Sequence, residues 1–345
     1  MIGKIHFGMI AATALTVAAM SVPPVPASAD PVTDFYKGRE MTILIGHPPG
    51  GSYDLYAQLS AAHIGKFIPG HPTVIVQHMP GGGGAKALTH FYYKAPHDGS
   101  IIGLFPETIA NTQLMDPKRG RWDVSKMQYI GSLTPVNSAF VVKKGSPVKT
   151  AKDIFKMKVN AGCTGRNSQS FQFPATLKAF AGAKFNMICG YKGSAGYTLA
   201  LLRGEVDMVS KAWPSWLAGN KDDLDSGKLI PLIQGGLKRT AGLENVPLMQ
   251  ELTDDPVAKK ALIFISGGSK IGRALIAPPD MPADRLAAIR AAFDKMVKDP
   301  DFLADAKKRG LVIDPTPGKE TQADSMAILN TPKDLYERVA KVFKK

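Results

Sequence analysis

Apolar residues occur in short runs along this chain, and helical periodicity alternates with those runs most clearly between residues 42 and 88. Thr42–Ile45 and Val74–Val76 have the length and composition of buried strands. After the first of them, Leu55, Leu59 and Ala62 recur at the spacing that places side chains on one face of a helix. A second helical pattern follows the second run. The stretch therefore predicts two consecutive strand–loop–helix units.

Each of these predicted strands is followed by a glycine-rich loop that leads into a helix. Backbone N–H groups at a helix N-terminus lack intrahelical partners and bind anions, and glycine permits close approach because it has no Cβ. Ser52 suits the N-cap of the first helix, and Asp54 suits its first turn. A tight turn alone would explain either loop, but two such loops at the carboxyl ends of strands favour a site for a carboxylate or a phosphate. The residues predicted to form this half of the site are Pro49, Gly50, Gly51, Ser52, Asp54, Gly81, Gly82, Gly83, Gly84 and Ala85.

Neither loop carries a nucleotide-binding motif. The loop that begins at Gly81 lacks the third glycine of a dinucleotide-binding loop, and the pattern GxxxxGK[ST] does not occur in the sequence. These differences argue against NAD and ATP as ligands.

The alternation of strand and helix patterns continues from residue 159 to residue 233, which implies mostly parallel sheets flanked by helices. Between two strand patterns, residues 134–137 form a join that predicts passage into a second domain, and the apolar stretch 263–276 predicts a return to the first. A domain that is left and re-entered is typical of a hinged two-lobed binder. We predict an α/β protein with a leader at 1–29, domain one at 30–136 and 265–345, and domain two at 137–264.

Polar residues at the carboxyl ends of the later strands are expected to face the glycine loops across a cleft. Lys192 and Lys211 could pair with a second carboxylate of the ligand, although a lysine taken singly is more often an ordinary solvated side chain. Asp54 could instead complete its helix start, and Asp207 could orient a neighbouring loop. The residues predicted to form the second half of the site are Thr164, Gly165, Asn167, Ser168, Tyr191, Lys192 and Asp207.

The N-terminal segment has the pattern of an export signal. A weakly basic start with Lys4 precedes the small, apolar stretch Phe7–Val22, and Ala27-Ser28-Ala29 is an A-x-A cleavage signal. We expect cleavage after Ala29 and a mature protein that is soluble in the periplasm. A retained membrane helix is the weaker interpretation because the run is short and prolines follow it.

The net charge of the chain indicates which classes of partner it can bind. Of 345 residues, 44% are hydrophobic and 21% are charged, and the formal net charge is +14. Loss of the leader removes one lysine and no acid, which leaves +13. This balance favours anionic small molecules or an anionic membrane surface. Nucleic acid is not expected, because no arginine-rich cluster is interleaved with aromatic residues.

The two cysteines, Cys163 and Cys189, each lie near the end of a predicted strand. An exported protein permits a disulfide between them, but the sequence leaves the pairing open. A zinc site is not expected, since two cysteines without a nearby histidine supply too few ligands.

Three segments in order, PPGGSYDLYAQ, PTVIVQHMPGGGGAKAL and YKAPHDGSIIG, resemble the substrate-binding proteins of tripartite tricarboxylate transporters, the Bug family. The likeness continues through Tyr191-Lys192-Gly193-Ser194 and Gly204-Glu205-Val206-Asp207-Met208. It implies a type II periplasmic-binding-protein fold, with a ligand carboxylate held between two lobes partly through ordered water. It also implies delivery of the ligand to a membrane transporter with separate large and small subunits. We expect a monomer that needs no cofactor and no metal.

An enzymatic function is the weaker hypothesis. The patterns GxSxG and HExxH are absent, and the SxxK match at Ser146–Lys149 lacks the elements that accompany it in known enzymes. A periplasmic hydrolase on a similar fold, a sensory receptor that docks on a membrane kinase, and a receptor for an inorganic anion remain open alternatives. The sequence does not distinguish a dicarboxylate from a tricarboxylate or an aromatic acid.

Overall fold

The computed structural model describes residues 1–3, 30–118 and 121–343. Apart from its first three residues, the predicted leader lies outside the described residues, as does Ala29 at the predicted cleavage site. No helix in the described ranges is both long and apolar enough to cross a lipid bilayer.

Eleven strands and twelve helices are described. The strands are β1 Glu40–Ile45, β2 Thr73–His78, β3 Ile101–Leu104, β4 Gln128–Ser132, β5 Ser138–Lys143, β6 Val159–Cys163, β7 Phe185–Cys189, β8 Met208–Ala212, β9 Leu229–Gly235, β10 Ala274–Ala277 and β11 Thr316–Pro317. The helices are α1 Pro31–Tyr36, α2 Ser52–Ile64, α3 Ala85–Tyr93, α4 Ile109–Met115, α5 Gln169–Ala181, α6 Gly193–Arg203, α7 Trp213–Asp225, α8 Pro256–Ser266, α9 Ala283–Met296, α10 Pro300–Lys308, α11 Gly318–Leu329 and α12 Lys333–Phe343.

The strands form two separate sheets. A six-stranded sheet has the order β11-β4-β10-β3-β1-β2, and a five-stranded sheet has the order β7-β6-β8-β5-β9. We call the part built on the first sheet lobe A and the part built on the second lobe B. The predicted two-lobed α/β fold is confirmed. The domain boundaries at 136/137 and 264/265 stay predictions.

Most strands of each sheet run in one direction, as predicted, and each sheet also contains antiparallel pairs. Parallel pairing joins β2, β1 and β3 in lobe A and β7, β6 and β8 in lobe B, whereas β10 and β5 run antiparallel to their neighbours.

The antiparallel strands β5 and β10 are the first strands that the chain forms after it passes from one lobe to the other. The carboxyl end of β4 leads out of lobe A, and β5 is the next strand, in lobe B. A strand that starts at the gap between the lobes must run away from it, opposite to the strands whose carboxyl ends point toward it. The same holds for β10 on the return.

Helices cover both sheets with apolar side chains. In lobe A, Ile43 and Ile45 of β1 pack in one buried cluster with Leu59 of α2 and Phe293 of α9. In lobe B, Val141 and Trp216 belong to a second cluster with residues of α6. A third cluster contains buried residues of both lobes, so that apolar burial stabilises the approach of the lobes as well as each lobe.

The two cysteines are bonded to each other. Cys163 ends β6, Cys189 ends β7, and the parallel register of these strands sets the two residues opposite each other. Their Cα atoms are 4.4 Å apart, within the range that a disulfide spans. The question that the sequence left open is therefore answered by strand register.

We expect a thiol-labelling experiment to find this bond in the exported protein. Denatured protein treated with a maleimide should carry no label until a reductant is added, and two labels afterwards, since the chain has two cysteines. Intact-mass spectrometry counts the labels. Two labels on protein that was never reduced would contradict the pairing.

Candidate functional site

A cavity of about 50 Å³ lies between the two lobes. A buried water needs roughly 10–15 Å³, so that the space holds only a few waters in this closed arrangement. Lobe A lines it with His47, Pro48, Pro49, Gly51, Ser52, Tyr53, Pro106 and Arg273. Lobe B lines it with Thr164, Ser168, Gln169, Ser170, Lys192, Gly193, Ser194, Ala195, Tyr197, Lys211, Ala212 and Ser215.

The first glycine loop borders this cavity through the start of α2. Gly51 is the extended N-cap residue, and the backbone N–H of Ser52 donates to Ser215 Oγ of lobe B at 3.2 Å. Asp54 does not line the cavity. Its carboxylate accepts a hydrogen bond from the Gly50 N–H at 2.9 Å and lies 2.7 Å from His78 Nε2. Asp54 therefore stabilises the conformation of the loop without lining the cavity.

Arg273 is the central charge on the lobe A side, and it is fully buried. Its guanidinium donates to Ser52 Oγ from two nitrogens, at 3.0 and 2.8 Å, and to Glu107 Oε2 at 2.9 Å. The hydroxyl of Tyr53 donates to the same Glu107 oxygen at 2.5 Å, and the Tyr53 ring lies 4.0 Å from Arg273 Cζ. The charges of Arg273 and Glu107 thus neutralise each other, and this ion pair holds Ser52 and Tyr53 at the wall of the cavity.

His47 is held uncharged beside this network. Its ring stacks on Tyr53 with centroids 4.2 Å apart. Burial, with a smaller effect of the nearby Arg273 charge, lowers the pKa of His47 to about 3. Burial also raises the pKa of the Tyr53 hydroxyl well above its usual range. Both groups are therefore neutral at pH 7, and neither adds a charge to the cavity wall.

Lys211 is the buried cation on the lobe B side. It lies on β8, and its Nζ donates to Asn220 Oδ1 at 2.8 Å and lies 3.8 Å from the centroid of the Trp216 ring. Burial lowers the pKa of Lys211 to about 7. The other lysine of the cavity, Lys192, is exposed at its edge.

The second glycine loop lies against lobe B and not at the cavity. All four residues from Gly81 to Gly84 have positive φ, which explains the run of glycines. Asn167 Nδ2 donates to the Gly82 carbonyl at 3.0 Å, and a Cβ on Gly83 would lie 3.1 Å from the Ser168 nitrogen. This loop therefore makes a close contact between the lobes.

The structure thus separates the residues predicted for the site into two groups. Those that border the cavity are Pro49, Gly51, Ser52, Thr164, Ser168 and Lys192. Those that do not are Gly50, Asp54, Gly81, Gly82, Gly83, Gly84, Ala85, Gly165, Asn167, Tyr191 and Asp207. Asp207 accepts a hydrogen bond from the backbone of Asn160 at 2.8 Å, and Tyr191 packs beside the core of lobe B.

Sequence reasoning did not find Arg273 and Glu107. They lie 166 positions apart and belong to no short motif. One signal was available: Arg273 stands immediately before β10, whose residues Ala274–Ala277 are all buried and apolar. A charge at the start of a fully buried strand is unusual, because it must find a buried partner.

The family model described as the tripartite tricarboxylate transporter family receptor, TctC, matches residues 68–329. The chain belongs to this family. The description is that of a receptor serving a transporter, which makes the chain a solute-binding protein. A curated relative, the UPF0065 protein in the gbd 5′ region of Cupriavidus necator, is 29% identical over 304 residues, which is 86% of each chain.

Two solved structures of lower identity have the fold of this TctC-family chain. The periplasmic binding protein BugD has a TM-score of 0.69 at 19% identity, over 88% of this chain and 98% of its own. R. palustris Rpa4515, solved with adipate, has a TM-score of 0.67 at 19% identity, over 89% of this chain and 98% of its own. At these identities, the likeness extends to the fold alone.

Proposed function

We propose that this TctC-family receptor captures an organic carboxylate in the cavity between its lobes and delivers it to a tripartite tricarboxylate-type membrane transporter. The proposal includes export to the periplasm with cleavage after Ala29. The residues proposed to contact the ligand are Pro49, Gly51, Ser52, Thr164, Ser168, Lys192, Lys211 and Arg273.

The charge of the cavity wall carries this proposal. Lys192 and Lys211 border the cavity, the charge of Arg273 is balanced by Glu107, and no aspartate or glutamate is among the described lining residues. The N-terminus of α2 adds the partial positive charge of a helix start. The Ser52 hydroxyl accepts from Arg273 and keeps its own proton for an uncharged hydrogen bond of the kind that orients a carboxylate. Thr164 and Ser168 add polar hydroxyls to the same wall, where Thr164 donates to Ser168 and Ser168 donates to the Gly165 carbonyl. A wall of this composition favours an anion that also accepts several hydrogen bonds.

The relatives support the same class of ligand. The family's description names a transporter of tricarboxylates, and the R. palustris protein of the same fold was solved with adipate, which is a dicarboxylate. The closed lobes also fit a capture mechanism. Hydrogen bonds such as Ser52 N–H to Ser215 Oγ cross between the lobes next to the cavity, so that a ligand bridging the two walls would favour closure through its higher affinity for the closed state.

A thermal-shift screen over di-, tri-, mono- and aromatic carboxylates tests this function. An acid present at about 100 times its Kd should stabilise the folded protein by about 2.7 kcal/mol, which shifts the unfolding temperature visibly. Inorganic phosphate and sulfate serve as controls for an anion without a carboxylate. A screen in which phosphate shifts the protein and no carboxylate does would contradict the proposal.

The variant Gly51→Val checks that the shift comes from this cavity. A Cβ on Gly51 would lie 3.2 Å from Ser194 Oγ of lobe B, so that the larger side chain fills the space where the walls meet. Gly51 has a φ of −96°, which any residue adopts, and the variant should fold normally. We expect the shift with the best acid to disappear while the unfolding temperature of the free protein stays within a few degrees. An unchanged shift would place binding elsewhere.

A further inference from the structure

Lys211 is a buried ammonium group without a counter-ion in the described part of the chain. Its side chain donates to the neutral amide oxygen of Asn220 and lies over the Trp216 ring. No carboxylate of a described residue forms an ion pair with it. The residue nevertheless borders the cavity between the lobes.

The surrounding groups do not supply a negative charge. The titratable residues that border the cavity with Lys211 are His47, Tyr53, Lys192, Tyr197 and Arg273. Two of these are cations, and burial keeps the other three neutral. The nearby Glu107 is already engaged by both Arg273 and Tyr53. The described walls of the cavity therefore contain no acid that could balance the charge of Lys211.

A hydrogen bond to Asn220 does not by itself explain a lysine at this place. Asn220 has a non-helical backbone inside α7, and an uncharged donor from β8 would hold that kink as well. Burying a charge without an ionic partner costs much more than burying an amide, so that natural proteins pair such groups or use them. Burial lowers the pKa of Lys211, and no nearby acid offsets that effect.

We infer that Lys211 is the counter-ion for a second anionic group on the ligand, and that the cavity therefore selects dianionic organic acids over monoanions of the same length. The inference rests on the proposed function, which places one carboxylate of the ligand in this cavity. The Ser52 hydroxyl and the start of α2 receive the first carboxylate, and Lys211 receives the second. The ligand then contributes the negative charge that the protein lacks at this position.

Matched pairs of straight-chain acids test this inference by calorimetry at pH 7. Each diacid from malonate to adipate is compared with the monoacid of the same chain length, which carries a methyl group in place of the second carboxylate. In the wild type, we expect at least one diacid to bind ten or more times more tightly than its monoacid, in line with the coupling energies of close charge pairs. Lys211→Met should reduce that ratio to about threefold or less, and monoacid binding should persist.

Two further variants separate charge recognition from general effects. Lys211→Arg keeps the cation and should retain part of the diacid preference. Lys143→Met removes a lysine at the end of the neighbouring strand β5, where Nζ donates to the Leu202 carbonyl away from the cavity, and it should leave the ratio unchanged. Equal binding of diacids and monoacids by the wild type, or an unchanged ratio in Lys211→Met, overturns the inference but not the proposed function. Failure of every acid to bind the wild type overturns both.

Discussion

Replacement of Arg273 by methionine is expected to destabilise the protein by about 3–5 kcal/mol, the usual cost of removing one partner from a buried ion pair. Arg273 is fully buried and donates to Glu107 and Ser52, so that the variant leaves a carboxylate and a hydroxyl without their principal donor. Urea denaturation monitored by tryptophan fluorescence measures the loss as a lower midpoint at an unchanged slope.

The double variant Arg273→Met with Glu107→Gln separates the ion pair from the space that Arg273 fills. Glutamine is neutral and still offers an oxygen to the Tyr53 hydroxyl, which donates to Glu107 in the wild type. We expect the double variant to recover a large part of the lost stability, because the uncompensated charge is gone. If Arg273→Met cost no more than about 1 kcal/mol, the pair would not carry the structural role assigned to it here.

The alternation of short strands and helices was sufficient to predict the two-lobed α/β fold. Local patterns report which segments are buried, and the domain boundaries that we placed from the patterns at 134–137 and 263–276 stay predictions. The direction of each strand could not be predicted, because an apolar run has the same pattern in both directions. The mixed sheets follow from where the chain crosses the gap, which is a property of the whole path.

The buried face of α2 shows the limit of periodicity. Leu59 is fully buried as predicted, but Ala62 is exposed and Tyr56 takes a buried position on the helix. The aromatic ring belongs to the core of lobe A while its hydroxyl donates to the Val312 carbonyl at 2.8 Å. A tyrosine in a helix can be read as polar or apolar, and only the tertiary contact decides between them.

Candidate site residues were predictable where local chemistry suffices. The first glycine loop with Ser52 borders the cavity because a helix N-terminus at a strand end has a geometry encoded in about ten residues. The second loop has the same local signature, yet it packs against Asn167 and Ser168 of lobe B. Which loop meets the cavity depends on how the lobes approach each other, and no segment of the sequence encodes that alone.

The pH dependence of stability is expected to identify Lys211 as a buried amine. Its pKa in the folded protein, about 7, lies below the 10.5 of a free lysine, and burial is the cause. Between these two values the unfolded chain binds more protons than the folded protein, so that the free energy of unfolding rises with pH. From pH 6 to pH 9.5, we expect Lys211 to contribute an increase of about 3 kcal/mol in the ligand-free protein.

Comparison with Lys211→Met isolates this contribution from the other titrating groups. Groups common to both proteins, including Tyr53 and Tyr197, whose pKa values burial raises, cancel in the difference between the two unfolding curves. At pH 6 the methionine variant should be the more stable of the two, since it buries no charge, and its advantage should shrink as the pH rises. A difference that is constant with pH would mean that Lys211 titrates in the folded protein as it does in water.

A saturating diacid should flatten the pH dependence of the wild type's free energy of unfolding. An anion beside Lys211 raises its pKa in the folded protein and so removes the difference from its pKa in the unfolded chain. A lysine that weakens the empty receptor while its ligand restores the loss is the behaviour expected of a recognition residue, and a structural lysine would not respond to the diacid.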